Sequence, residues 1–158
     1  MTYSIPGSMP SESLAKLFQE SQGQPVIFND ASVVPIHRHP LAAGKWHVRI
    51  ERISAKKIPV QGLRIKVDRG HIAVAGQKQK DIVLWEDTSP DVVDMEILCA
   101  SDTVLKAWNV WRIDGIIMAW VGNSGMIVEN EIDRIKLLCS DGTSSPEFNN
   151  LIVTISIK

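Results

Sequence analysis

The imidazoles of His37-Arg38-His39, followed by His47 and Glu51, are the side chains in this sequence best suited to metal chemistry. On an extended strand, residues two apart point to one face, so His37 and His39 would share a face and could hold a divalent metal with His47 and Glu51. The simpler reading is a solvated edge. Pro35 and Pro40 flank the pair, and proline is confined to edge strands and loops.

Two oxygen-rich stretches could bind calcium: Glu86-Asp87-Thr88-Ser89-Pro90-Asp91, with Asp94 and Glu96 beyond, and Asp141 to Glu147. Neither has the spacing of an EF-hand loop, and both read more simply as turns. The His37-Arg38-His39 spacing resembles the first motif of the cupin family, on a jelly-roll sheet. That resemblance covers three residues, and no glycine-proline-histidine motif follows Gly122, so neither a metal nor an activity is carried over. Cys99 and Cys139 fall on internal faces with no adjacent His, as expected of buried small hydrophobes. The sequence has no nucleophile elbow, no phosphate-binding glycine loop and no H-E-x-x-H helix. It therefore supplies no catalytic residue and implies no cofactor.

A recognition surface is easier to argue. Ile113-Asp114-Gly115-Ile116 places Asp-Gly where a type I′ hairpin turn needs two positive φ angles. The register that follows pairs Ile113 with Ile116, Trp111 with Met118 and Asn109 with Trp120 on one apolar face. The reverse face carries Lys106, Trp108 and Arg112. It predicts an outward indole edged by cations, able to stack a sugar or aromatic ring or to anchor a protein partner. Trp111 and Trp120 are expected in the core. The competing reading is that a second layer or the N-terminal helix covers Trp108.

Strands must position these groups. Ile and Val together number 34, against 20 for Leu and Ala, a bias toward residues that suit pleated sheet. Apolar and polar residues alternate in Trp46–Glu51, Leu63–Asp68, Val93–Cys99, Ile135–Cys139 and Leu151–Ile157. Turn signals at Arg69-Gly70, Ala75-Gly76, Asp114-Gly115 and Asp141-Gly142 separate such runs. Only residues 11–22 read as a helix, with Ser11 as N-cap, Glu12 in the first turn, Leu14, Leu17 and Phe18 on one stripe, and Gly23 as the stop. The expected fold is all-β: an antiparallel, jelly-roll-like sandwich of about ten strands. The 158 residues form one domain, with edge strand and loops over 24–45 and the sandwich over 46–158.

The near-neutral total of −1 hides a division: residues 38–80 sum to +9, residues 81–158 to −8 and residues 1–37 to −2. Interleaved strands would neutralise it, and self-association could use it. Nucleic acid is disfavoured, since the basic segment holds one aromatic residue, Trp46, which alternation turns inward. No basic leader or membrane-length apolar run is present, so a cytoplasmic protein is expected. The functional expectation is a non-catalytic binding or assembly module with a protein partner, a second copy of itself, a small ligand or a glycan. The alternatives are a carbohydrate-binding module and a metal-dependent jelly-roll enzyme using His37, His39 and His47.

Overall fold

The computed structural model describes residues 13–158. A helix, α1 (Leu14–Glu20), precedes β1 (Val26–Phe28), β2 (Ala31–Val33), β3 (His37–Leu41), β4 (Gly44–Ala55), β5 (Val60–Val67), β6 (His71–Val74) and β7 (Gln77–Gln79). The chain continues through β8 (Asp81–Trp85), β9 (Val92–Cys99), β10 (Thr103–Ile113), β11 (Ile116–Met118), β12 (Gly125–Asn130), β13 (Ile135–Ser140) and β14 (Leu151–Ile157). The fold is an all-β sandwich of antiparallel sheets.

Of the two main sheets, the smaller runs β11-β10-β5-β8 with β3 also on β10, and the larger runs β12-β13-β14-β4-β9-β6-β7; β1 and β2 form a separate two-stranded sheet. The alternating runs behave as their period requires. Val48, Ile50, Met95, Ile97, Leu137, Val153 and Ile155 of the larger sheet form the core with Leu63, Ile65, Val67 and Leu105 of the smaller. The strands beyond the expected ten include β1, β2, β7 and β11, each only three residues long and too short to display a period.

The helix starts later than its sequence suggests. Its N-cap is Ser13, whose side chain accepts the Lys16 N–H at 3.2 Å; the expected cap Ser11 and Glu12 lie outside the described residues. The N–H groups of Leu14 and Ala15 go instead to Asn123 Oδ1 and the Gly122 carbonyl, which ties this end of the helix to the β11–β12 connection. Gly23 ends the segment at φ 80°, as expected, its N–H donating to the Phe18 carbonyl. Leu14 and Phe18 bury against Val33 in a small second core. The β1–β2 hairpin turns at Asn29 and Asp30, both at positive φ, and joins β12 through a bridge between Val34 and Met126.

Candidate functional site

Both edges of β10 are in use. β5 pairs along one, while the other is shared: Thr103–Ala107 pair with β3 and Trp111–Ile113 with β11. The Asp114-Gly115 turn, with φ of 51° and 78°, sets the expected register for three pairs, ending at Trp111 with Met118. Beyond Met118 the ladder stops: among the described residues Trp108, Asn109 and Val110, which residues 119–121 would oppose, have no strand partner on that edge, and β3 takes it up only at Ala107.

This break in the ladder reverses two expectations. Trp120 does not oppose Asn109 and does not enter the core; it is 47% exposed, in a left-handed backbone at φ 57°. Its ring folds across Trp108 with centroids 5.0 Å apart and planes at 27°. Trp108, expected to face outward, is therefore only 6% exposed, while Trp111 is core as expected at 1%. Arg64 stands over Trp108 with its guanidinium carbon 5.5 Å from the ring centre.

The predicted cationic flanks are likewise engaged. Lys106 pairs with Asp68 at 3.0 Å. Arg112 bonds Asp87 and lies 4.8 Å from the ring centre of Trp85. Trp85 escaped the sequence reading, although its place was set by Gly62: the two are directly opposed on β5 and β8, and the missing side chain gives the indole room.

The outer face of this sheet has an unusual charge row. Arg38, Lys106 and Lys66 are directly opposed across β3, β10 and β5, an arrangement that costs stability unless counter-charge is near. Asp68 serves Lys106, and Lys66 helps hold the Asp81 carboxyl below its usual range, after the larger effect of the Arg64 hydrogen bond. Among the described residues Arg38 has no ion-pair partner. It lines an apolar groove of about 280 Å³ beside α1, where Phe18, Pro35, Ile36 and the Trp120 ring form the other walls. The Trp120 Nε1–H donates to the Pro35 carbonyl at 3.0 Å, which fixes the ring plane.

The proposed metal set does not converge. His37 and His39 share the inner face of β3 with ring centres 6.1 Å apart. His47 points away on the outer face of β4, 3.2 Å from Asp94, and Glu51 follows on that strand. Among the described residues no three His, Cys, Asp or Glu side chains are grouped to hold a metal ion. His37 and His39 instead line a cavity of about 290 Å³ with Glu131, Asp133, Arg134 and Ile155. The His37 Nε2 is buried without a hydrogen-bond partner, and burial, then the neighbouring His39, holds its imidazole below the usual range.

The acidic loops are occupied by cations from the basic segment. Lys57 holds Glu86, Arg52 holds Asp91, Arg49 holds Asp94, and Lys45 holds Glu96. Asp141 is buried among Lys56, Gln61 and Thr143. The charge division is thus neutralised between interleaved strands. Cys99 and Cys139 are free and buried, and burial pushes the Cys139 thiol up. No helix among the described residues is long and apolar enough to cross a membrane. The chain matches no protein-family model, and no curated protein or solved structure matches it.

Proposed function

We propose that the protein is a non-catalytic binding module that takes an acidic protein segment, with an apolar side chain anchored in the groove between α1 and Trp120. The observation that carries this reading is Trp120 itself. A bulky residue at φ 57° is a backbone outlier that costs on the order of 1–3 kcal/mol, and such strain concentrates at functional sites. Here it holds an indole half in solvent, stacked on a second ring and pinned through its N–H. A rigid, part-exposed tryptophan beside an apolar groove is the usual anchor of a protein interface. Arg38, the member of the charge row with no carboxylate partner among the described residues, lines the same groove and favours a carboxylate on the incoming segment.

An array of peptides, each with Phe, Leu or Trp flanked by Asp and Glu, tests this alongside a glycan array. Peptide binding that weakens about tenfold in Trp120→Ala and in Arg38→Glu, and that falls with added salt, is the expected result. Glycans retained while the peptides are ignored would replace this reading with a carbohydrate-binding one. Binding indifferent to both substitutions would remove the site.

A further inference from the structure

Among the described residues the two larger sheets end in β3, β11, β8, β12 and β7, and all of these but β8 carry a device that discourages pairing. β3 contains Arg38 and Pro40; β11 has three residues; β7 is the exposed polar run Gln77-Lys78-Gln79; β12 is bridged to Val34 and ends in Glu129 and Asn130. β8 has only the terminal Asp81, whose carboxylate is already held by Arg64 of β5. It is Asp-Ile-Val-Leu-Trp, regular along its whole pairing with β5, with every residue part-exposed and no proline or lysine inside it.

The ladder shows which backbone groups of β8 are free. The Val67 N–H donates to the Lys80 carbonyl at 3.1 Å and the Glu86 N–H to the Gln61 carbonyl at 2.9 Å. Even-numbered residues therefore face β5, and Asp81, Val83 and Trp85 direct their N–H and C=O groups to the open edge. The Trp85 carbonyl is taken by Ser89, from its N–H at 2.9 Å and its hydroxyl at 2.6 Å. Among the described residues β8 pairs with β5 alone.

From this edge we infer that β8 pairs antiparallel with β8 of a second copy of the chain, about a two-fold axis at Val83, joining the two smaller sheets into one. In that register the two Val83 residues exchange both backbone bonds, and each Trp85 N–H reaches the Asp81 carbonyl of the other copy. Ile82 meets Leu84 of the second copy on the core side. Lys80 meets Glu86, adding a cation to a carboxylate that already holds Lys57. Neighbouring registers lack this match: moving the axis to Leu84 opposes Asp81 to Asp87, and moving it to Ile82 sets Lys80 against Leu84. The contact lies on the sheet edge opposite β3 and β11, so it stands or falls apart from the groove at Trp120.

Sedimentation velocity over a concentration series is the test. Wild type is expected to shift from 17.5 kDa to twice that mass, and Val83→Pro, which removes an N–H used only between copies, to remain monomeric with an unchanged circular dichroism spectrum. Lys80→Glu and Glu86→Lys should each weaken the dimer about tenfold at low salt. Their equimolar mixture should restore it, because both cross-copy pairs are then complementary. A wild type monomeric at its highest soluble concentration overturns the inference, as does a dimer that survives Val83→Pro. If that variant fails to fold, the charge-reversal pair decides: a mixture no more associated than its components overturns it.

Discussion

The Trp85 indole occupies the space where a side chain at position 62 would begin. A Cβ built on Gly62 would stand 2.6 Å from Trp85 Cε3, far inside van der Waals contact. Arg112 packs on the same ring, so one absent side chain seats an aromatic ring and a cation.

Gly62→Ala should therefore destabilise the protein by about 1–3 kcal/mol, the cost of overpacking, although alanine normally improves on glycine within a strand. Chemical denaturation would measure the loss. A variant as stable as wild type would show that Trp85 moves aside freely.

The two stacked indoles should respond unequally to truncation. Trp108→Ala opens a cavity beneath Trp120 and should cost about 3–5 kcal/mol, whereas Trp120→Ala loses a part-exposed ring pair and should cost about 1 kcal/mol. The coupled-indole signal in circular dichroism should vanish from both Trp108→Phe and Trp120→Phe if the rings stack only on one another.

Asp141 predicts the behaviour in acid. Burial opposes its charge, but bonds from Thr143 and Gln61 and the nearby Lys56 outweigh burial and leave the carboxyl below the usual range. A depressed carboxylate contributes stability above its unfolded value of about 3.9 and loses it as pH falls through the folded value. Asp141→Asn should cost about 2 kcal/mol at neutral pH, and the gap to wild type should close as pH drops below 4. Denaturation midpoints measured across that range check this; a constant gap would refute the linkage.

His37 has a lowered value too, with the opposite charge change. Its neutral form is favoured in the fold, so stability is present above the unfolded value of about 6.5 and is lost as pH falls from there through the folded value. His39, Glu131, Asp133 and Arg134 share the cavity and are common to both proteins. His37→Leu should therefore flatten the slope between pH 7 and 5 measured by chemical denaturation. It should also gain about 1 kcal/mol by removing the unpartnered buried nitrogen. An unchanged slope would assign the pH dependence to other groups.

The long strands were legible because burial of one face imposes a period of two, as in Leu63, Ile65 and Val67. The Asp114-Gly115 turn was legible for a local reason as well, and its register held as far as Met118. The roles of Trp108 and Trp120 were not. They depend on residues some seventy to eighty positions earlier in the chain: β3, which pairs with β10 as far as Ala107, and the Pro35 carbonyl just before it, which holds the Trp120 ring. The inward turn of His37 and His39 follows from that same distant pairing with Ala107 and Leu105. Charge showed the division itself, while its cancellation needed the order of strands, which places β9 beside β4 and β8 beside β5.

That strand order also bears on synthesis. β3 rests on β10, β4 lies between β14 and β9, and β5 lies between β10 and β8, so most of the basic first half is made before its neighbours exist. A nascent chain halted near residue 80 would hold a run of mutually repelling cations and only the β1–β2 and β6–β7 hairpins as complete pairings. Cooperative collapse must await the later acidic strands, and because non-local pairing is slow, refolding should resemble that of high-contact-order proteins more than that of helical bundles of equal length.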